Sequence, residues 1–229
     1  MKELGQDAAH GRHERGEPAG ASDSLLRAAR AQGVSDPRVL AALGSVPRGA
    51  FVPEELRDDA AYDCALPIGL GQTTSQPSLV AMMIESLAIG PDDTVLEVGT
   101  GHGYEAALLG RLARRVFTVE RIAALAEVAR HNLEAAGVGN VEVVLGDGTL
   151  GLAAQAPFDA IVVAAAFLNV PAPLAEQLGE GGRLVMPVGN GGGDLVTLYV
   201  KRADALAELR VICGARFVPL LGANGFAVR

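Results

Sequence analysis

The sequence predicts an α/β fold, in which a doubly wound, mostly parallel sheet of about seven strands has an antiparallel C-terminal edge and a small helical N-terminal part. After residue 93, short β-branched runs alternate with runs rich in Ala, Leu and Arg, a pattern typical of a parallel sheet with helices on both faces. No helix-length segment separates the last two strands, so we expect them to pair antiparallel. A glycine-rich turn follows the first strand of this region, as in α/β sheets that bind a ligand at their strand ends.

The individual elements follow from periodicity and from helix-start signals. Ser22 or Asp23 is a suitable N-cap for a first helix, and Asp36 with Pro37 starts a second that ends near Gly44, since proline fits the first helical turn. The later helices are predicted over Leu79–Leu87, Tyr104–Ala113, Ala123–Ala136 and Pro171–Leu178. The strands are predicted over Thr94–Val98, Arg115–Glu120, Val141–Leu145, Ala160–Ala164, Gly182–Val188, Leu195–Lys201 and Val211–Pro219.

Three regions are expected along the chain. Residues 1–21 are charged, glycine-containing and aperiodic, which is typical of a disordered tail. Residues 22–90 form the helical N-terminal part and carry a polar loop, and residues 91–229 form the ligand-binding core.

Composition excludes several classes of protein. The net charge of −8 argues against nucleic acid as the main partner, because phosphate binding requires a basic face. An apolar run long enough to cross a membrane and the apolar segment of a secretory signal are both missing. The two cysteines form no disulfide framework or metal spacing and the four histidines are scattered, so we expect a cytoplasmic protein without a metal site.

The stretch "VLEVGTGHGYEAALL" predicts a strand, a glycine loop and a helix. Gly99, Gly101 and Gly103 allow a tight turn and close approach of a ligand, but dinucleotide and S-adenosylmethionine sites share this pattern. Tyr104 stands where a dinucleotide site has its third glycine, and Glu97 would repel a pyrophosphate. The pattern therefore favours S-adenosylmethionine, which carries an ammonium and a sulfonium, and leaves an NAD-dependent oxidoreductase as the alternative.

Two further acids follow the next two strands. Glu120 lies 21 residues after Gly99 (120 − 99), where a carboxylate can accept both hydroxyls of a ribose. Asp147, followed by Gly148 in "VVLGDGT", is placed to bond an adenine amino group. Each acid could instead serve only as a helix cap.

The stretch "LPIGLGQTTSQPS" is unusually polar for a chain that is 49% hydrophobic. It clusters hydroxyl and amide side chains before the helix predicted at Leu79, namely Gln72, Thr73, Thr74, Ser75 and Gln76. Hydroxyl and N–H donors beside a helix N-terminus suit a bound carboxylate. Alternatively, Ser75 only caps the helix.

Taken in order, these motifs resemble the protein-L-isoaspartate O-methyltransferases, which are class I S-adenosylmethionine-dependent enzymes with a Rossmann-like fold. The resemblance runs from about Asp23 to Phe226 and includes "VLEVGTGHGYEAALL", "VFTVER", "GDGTLGL", "QLGEGGRLVMPVG" and "RFVPLLG". The glycine loop is generic to methyltransferases. The stretch "PIGLGQTTSQP" is specific to this family.

The resemblance implies methyl transfer from S-adenosylmethionine to the carboxylate of L-isoaspartyl residues in damaged proteins and peptides. The methyl ester then closes to a succinimide, and hydrolysis returns part of it to normal aspartate. The resemblance also implies that Ser75 contacts the accepting carboxylate, while Gln72, Thr73 and Thr74 line the methyl donor. We expect a monomer that binds neither nucleic acid nor membrane.

Two positions depart from the family pattern, since Ser78 replaces a usually aromatic residue and Thr74 a usually apolar one. A smaller, more polar rim of the peptide pocket is therefore expected. The stretch "RFVPLL" fits either a strand that pairs with the substrate peptide or an edge strand of the core. A methyltransferase dedicated to an aspartate of one natural-product peptide is an alternative, although 229 residues leave little room for a recognition domain.

Overall fold

A computed structural model describes residues 20–190, 192–203 and 205–227. Residues 1–19 of the predicted disordered tail therefore lie outside the described part of the chain. The first helix, α1 (Ala21–Ala31), has Gly20 as its N-cap, so the prediction of Ser22 or Asp23 as the cap was wrong. The Ser22 hydroxyl instead donates to the carbonyl of Gly44 at 2.9 Å, because it faces the next helix.

The N-terminal part is mostly helical, as predicted. Its elements are α1, α2 (Pro37–Ser45), three short 3₁₀ turns (Arg48–Phe51, Glu54–Leu56, Asp58–Ala61), a hairpin of β1 (Leu66–Gly69) and β2 (Gln72–Thr74), and α3 (Pro77–Leu87). The Asp36 side chain caps α2 by accepting from the amide of Arg38 at 2.7 Å. The polar stretch, predicted as a loop, is corrected to an antiparallel hairpin that turns through Leu70 and Gly71.

The main sheet has seven strands in the order β5-β4-β3-β6-β7-β8-β9. These are β3 (Thr94–Val98), β4 (Arg115–Glu120), β5 (Val141–Leu145), β6 (Phe158–Val163), β7 (Leu178–Val188), β8 (Asp194–Arg202) and β9 (Ala205–Ala215). The first five are parallel, while β8 pairs antiparallel with β7 and β9. The helices between them are α4 (Tyr104–Gly110), α5 (Ala123–Ala135) and α6 (Ala172–Gln177). This architecture confirms the predicted fold class.

The largest boundary error concerns the last strand, predicted over Val211–Pro219. Strand β9 begins at Ala205 because it follows β8 directly, with Arg202 paired to Ala205. The chain leaves the sheet after Ala215, and Pro219 forms only an isolated parallel bridge with Ala166. Strand β7 likewise begins at Leu178, before the predicted Gly182, because Leu178 already pairs with Phe158.

The hydrophobic core lies on both faces of the main sheet, because successive strand residues point to opposite faces. Val95 belongs to the cluster that packs under α1 to α5, whereas Leu96 belongs to the cluster on the side of α6. Burial of each large apolar side chain contributes roughly 1.5–3 kcal/mol. The N-terminal helices share the first cluster with the sheet, so the two parts have a common core. The exact division at residues 90 and 91 stays a prediction.

The strand order creates a crevice beside β3. The chain runs outward from β3 through β4 to β5 and then returns to the other side of β3 as β6, and ligands of open α/β sheets bind at such a switch point. The ends of the two strands are joined there, since the amide of Ala164 donates to the carbonyl of Val98 at 2.8 Å. No helix in the described part of the chain is both long and apolar enough to cross a membrane.

Candidate functional site

A cavity, here called the donor cavity, opens at the switch point between β3 and β6. Most of the predicted site residues line it, namely Gln72, Thr73, Thr74, Ser75, Gly99, Gly101, Glu120 and Gly148. Two predicted residues, Glu97 and Asp147, are not among its lining residues. Residues of the hairpin, of the first turn of α4 and of the C-terminal segment Val218–Leu221 also line the cavity, so segments far apart in the sequence meet here.

The glycine loop is held close beneath the hairpin. Gly101 has a φ of +55°, and a Cβ atom there would lie 3.0 Å from Cδ1 of Ile68. A side chain at this position would therefore meet both backbone strain and crowding. The conformation points the Gly101 amide at Oε2 of Glu120, to which it donates at 3.0 Å.

Glu120 ends β4 and is 5% exposed. Its Oε2 accepts from Gly101, and its Oε1 accepts from the amide of Ile122 at 2.9 Å. Because a carboxylate has about four acceptor positions, each oxygen can accept one more hydrogen bond. The side chain is thus oriented by the backbone and can still take two hydroxyl donors from the cavity.

Asp147 faces the C-terminal segment rather than the cavity. Its Oδ1 accepts from the amide and hydroxyl of Thr149 at 2.9 and 2.7 Å, and its Oδ2 accepts from the amide of Ala223 at 2.7 Å. Partial burial acts to raise the pKa of Asp147, but the hydrogen bonds from Ala223 and Thr149 outweigh it and lower that pKa. These hydrogen bonds hold the C-terminal segment beside the cavity. The neighbouring residue Gly148, and not Asp147, lines the cavity.

Glu97 is fully buried on β3. One carboxyl oxygen accepts from the hydroxyl of Thr118, and the other has no partner within the described residues. The Thr118 hydroxyl also lies 2.5 Å from that of Thr100, which lines the donor cavity. Burial first, and then the nearby carboxyl of Glu105, raises the pKa of Glu97 well above its ordinary value.

Glu105 is a site residue that the sequence analysis missed. It lies in the first turn of α4, is 8% exposed and lines the donor cavity. Its Oε1 is buried without a partner among the described residues, and burial raises the pKa of Glu105 to about 8. An acid inside the otherwise apolar run "YEAALL" was the available sequence signal, because unpaired glutamates are rarely buried.

Arg48 was also missed, although it orders the polar stretch. Its guanidinium is 2% exposed and donates to the carbonyls of Tyr62, Cys64 and Ser75 at 2.9, 2.7 and 3.2 Å. These bonds tie the segment before the hairpin to the segment after it. A single basic residue among the apolar anchors of "VPRGAFV" was the sequence signal.

We expect Arg48→Met to lower the free energy of unfolding by about 2 kcal/mol, because three carbonyls lose charge-assisted hydrogen-bond donors. Urea denaturation followed by circular dichroism measures this change. Arg57→Met is the matched control, since Arg57 is exposed with one ion pair to Glu54 and such surface changes stay within about 0.5 kcal/mol. Equal unfolding midpoints for the two variants would contradict the assigned role of Arg48.

The N-terminus of α3 is capped by a residue from the preceding segment. The Asp63 carboxylate accepts from the amide and hydroxyl of Ser78 at 2.8 and 2.7 Å and from the Gln76 side chain at 2.8 Å. The N-cap position belongs to Gln76, so the alternative that Ser75 caps the helix is wrong. Ser78 is fully buried, so the predicted polar rim does not include it, and Thr74 lines the donor cavity instead.

A second cavity, here called the acceptor cavity, adjoins the first. Gln32, Gln76, Cys213 and Arg216 line it. Thr73, Ser75, Ala164 and Val218 line both cavities. Ser75 is half-buried, with its carbonyl held by Arg48, and it therefore stands at the boundary between the two spaces.

Within the described residues, no group of three His, Cys, Asp or Glu side chains is placed to hold a metal ion. The two cysteines, Cys64 and Cys213, are free thiols. The donor cavity is lined by carboxyl, hydroxyl and amide groups, among them Glu120, Ser75 and Gln72.

Comparison with known proteins identifies the family. A family model described as Protein-L-isoaspartate(D-aspartate) O-methyltransferase matches residues 21–225. A protein-L-isoaspartate O-methyltransferase of Koribacter versatilis is 52% identical over 199 residues, which cover 86% of this chain and 89% of that protein. The corresponding protein of Methanoculleus marisnigri is 54% identical over 198 residues, with coverage of 86% and 89%.

The solved structures agree. A protein-L-isoaspartate O-methyltransferase structure superposes with a TM-score of 0.78 at 31% identity, covering 89% of this chain and 66% of that longer chain. A Plasmodium falciparum structure described with the same activity, in complex with S-adenosyl-L-homocysteine, has a TM-score of 0.74 at 22% identity and covers 87% of this chain and 98% of its own. At 22% identity, the match to the Plasmodium falciparum structure shows only that the two folds are alike. These matches confirm the resemblance seen in the sequence, and this chain belongs to the protein-L-isoaspartate(D-aspartate) O-methyltransferase family.

Proposed function

We propose that this chain transfers a methyl group from S-adenosylmethionine to the carboxylate of L-isoaspartyl residues in damaged proteins and peptides, which starts their repair. The observation that carries the proposal is the position of Ser75 at the boundary of two adjoining cavities. One cavity has the carboxylates and glycine loop that suit the donor. The other is open to a peptide, so the two reactants would meet at Ser75.

The donor cavity suits S-adenosylmethionine, which when bound supplies a methyl group on a positively charged sulfur. Glu120 accepts the two ribose hydroxyls with its remaining acceptor positions. Gly99 and Gly101 leave room for close approach of the donor to the backbone, while Gln72, Thr73 and Thr74 cover it from the hairpin. Glu97 lies on β3 directly before the loop, and its carboxyl group, once ionised, favours a cationic ligand over a pyrophosphate.

The adenine end of the donor lies beside Gly148. A Cβ atom at position 148 would lie 2.4 Å from Cγ1 of Val98, so a side chain there would clash with β3. Glycine allows the backbone to lie close to β3 on one side and to the ligand on the other. Asp147 already accepts three hydrogen bonds. Its proposed bond to the adenine amino group uses the remaining acceptor position on Oδ2, so Asp147 couples adenine binding to the position of the C-terminal segment.

The reaction requires positioning rather than proton transfer. An isoaspartyl carboxylate is ionised at pH 7, so the step needs no general base. Charge is lost as the anion meets the cationic sulfur, and a strongly cationic clamp would therefore stabilise the reactants more than the transition state. The neutral Ser75 hydroxyl is better suited to orient the reacting oxygen. The Arg48 guanidinium is meanwhile occupied by three carbonyls.

We further propose that the chain acts as a monomer in the cytoplasm. Residues of a single chain line both cavities, which supports catalysis by one copy. The free thiols of the exposed Cys64 and the half-buried Cys213 suit a reducing compartment.

The proposal predicts which peptide is methylated. With labelled S-adenosylmethionine, we expect transfer to an isoaspartyl peptide to exceed transfer to the matched aspartyl peptide on the order of a hundredfold, because the backbone of the two isomers places the carboxylate differently. Calorimetry should show binding of S-adenosylmethionine and no saturable binding of NAD. Equal labelling of the two peptides would contradict the repair function, and binding of NAD alone would contradict the methyltransferase assignment.

A further inference from the structure

We propose that Glu105 receives the ammonium group of S-adenosylmethionine, and that Glu105 and Glu97 together release about one proton when the donor binds. The proposal rests on the proposed function, since it assumes that the donor occupies the cavity at the switch point. It adds to that site a residue that binds the donor and the release of a proton when the donor binds. Both follow from two buried carboxyl groups that lie close to each other, of which Glu105 lines the cavity.

The two carboxyl groups come from neighbouring elements. Glu97 lies on β3 and points to the same sheet face as Val95, which packs in the cluster that contains α4. Glu105 lies on α4 and faces the cavity. They are close enough for the Glu105 charge to influence Glu97. Each has one buried carboxyl oxygen without a hydrogen-bond partner among the described residues.

Among the described residues, no ion pair supplies a cation to these two carboxyl groups. The ion pairs of the described chain join Arg57 to Glu54, Arg115 to Glu142 and Arg130 to Glu127, and none involves Glu97 or Glu105. The Cζ atom of Arg48 lies 5.9 Å from the centroid of the Tyr104 ring, and its two terminal nitrogens donate to three carbonyls, while its Nε has no partner among the described residues. Glu120 on β4 adds negative charge.

Two further basic residues line the donor cavity. Arg121, which follows β4, is exposed to solvent. Burial lowers the pKa of His102, which favours its neutral form. The missing counter-charge must therefore arrive with the ligand.

Burial disfavours the charged form of a carboxyl group, and a buried oxygen without a hydrogen-bond partner gives that form no compensation, so protonation is favoured. Burial raises the pKa of both Glu97 and Glu105. An arriving ammonium reverses this preference, since an opposite charge within a few ångströms favours the carboxylate. Below the pKa of the free carboxyl, donor binding must therefore release a proton, and the dissociation constant falls up to about tenfold for each unit of rising pH.

The protonation state of the donor limits the pH range over which this effect on the dissociation constant can be measured. Its α-ammonium group loses its own proton near pH 7.7–8.0, the usual range for an α-amino group. We therefore expect the dissociation constant to fall about tenfold or more between pH 5.5 and 7.5 and to level off above pH 8. An analogue without the α-amino group should show little of this pH dependence.

Isothermal titration calorimetry in phosphate and in Tris at pH 7 measures the number of protons released, because the two buffers differ in ionisation enthalpy. For the wild-type chain we expect about one proton per S-adenosylmethionine bound and close to none for the analogue. Glu105→Gln imitates the protonated carboxyl and should abolish the release, flatten the pH dependence and weaken donor binding roughly tenfold at pH 7.5. Glu134→Gln, an exposed position on α5, is the matched control and should behave like the wild type.

The stability of the donor-free chain gives an independent readout. Between the ordinary glutamate value of 4.5 and about 8, the folded state binds more protons at Glu105 than the unfolded state does. Stability must therefore fall as pH rises through this window. We expect the melting temperature of the wild type to fall more steeply from pH 6 to 8 than that of Glu105→Gln.

The outcomes separate this inference from the proposed function. Tight binding of S-adenosylmethionine without proton release, or unchanged release in Glu105→Gln, would overturn the inference and leave the methyltransferase assignment intact. Failure of the wild type to bind S-adenosylmethionine at all would overturn the assignment itself. If Glu105→Gln does not fold, equal proton release by the donor and by the analogue in the wild type would still disprove the role of the ammonium group.

Discussion

Ser75→Ala is expected to lower the single-turnover rate of methyl transfer to an isoaspartyl peptide by about tenfold to a thousandfold. Ser75 stands at the boundary of the donor and acceptor cavities, where its hydroxyl would orient the reacting carboxylate. Loss of one positioning hydrogen bond allows the acceptor to leave its reactive geometry. Donor affinity should change much less, because the ribose and the ammonium are held by other residues.

Ser78→Ala is a suitable control, because it removes a hydroxyl three residues away that binds Asp63 at 2.7 Å and does not line either cavity. We expect this variant to lose about 1 kcal/mol of stability, as for a helix cap, and to keep a near-normal rate in its folded fraction. Melting temperature and single-turnover rate, measured on both variants, separate the two roles. A Ser75→Ala variant with wild-type turnover would show that the hydroxyl has no part in positioning the acceptor.

Glu120→Ala is expected to weaken the binding of S-adenosylmethionine by about 1.5–3 kcal/mol, which is roughly a tenfold to 150-fold increase in the dissociation constant. Two charge-assisted hydrogen bonds to the ribose would be lost. The amide of Gly101, which donates to Glu120 at 3.0 Å, would also lose the partner that orients the glycine loop. Isothermal titration calorimetry with S-adenosylmethionine or S-adenosylhomocysteine measures the effect.

Glu142→Ala provides the control, since Glu142 is an exposed acid on the neighbouring strand that pairs with Arg115 at 2.8 Å. Its removal should leave donor binding unchanged. Circular dichroism should show that both variants fold, because Glu120 lies at a strand end and the sheet pairing does not need its side chain. If Glu120→Ala and Glu142→Ala bind the donor equally well, Glu120 is not the ribose ligand.

The sequence located most of the sheet, because strand and helix periodicities are local properties. The predicted and observed bounds of β3, β4 and β5 agree. The errors at β7 and β9 occurred where pairing with a distant strand, rather than the composition of the segment, sets the end of the strand. The N-terminal hairpin was missed because its strands are only four and three residues long, and the alternation of Leu66 and Ile68 is interrupted by Pro67 and Gly69, which are rare within strands.

Short motifs in the sequence were sufficient to identify the family, the donor and the positions of Ser75, Gly101 and Glu120, because the spacing of each motif reflects its chemistry. Only the tertiary structure revealed Arg48, Asp63 and Glu105. Arg48 and Asp63 act through hydrogen bonds to residues 27 and 15 positions away, and no local pattern records such contacts. Glu105 differs from an ordinary helix-surface acid only in its burial beside Glu97, and burial is decided by how the helix packs on the sheet.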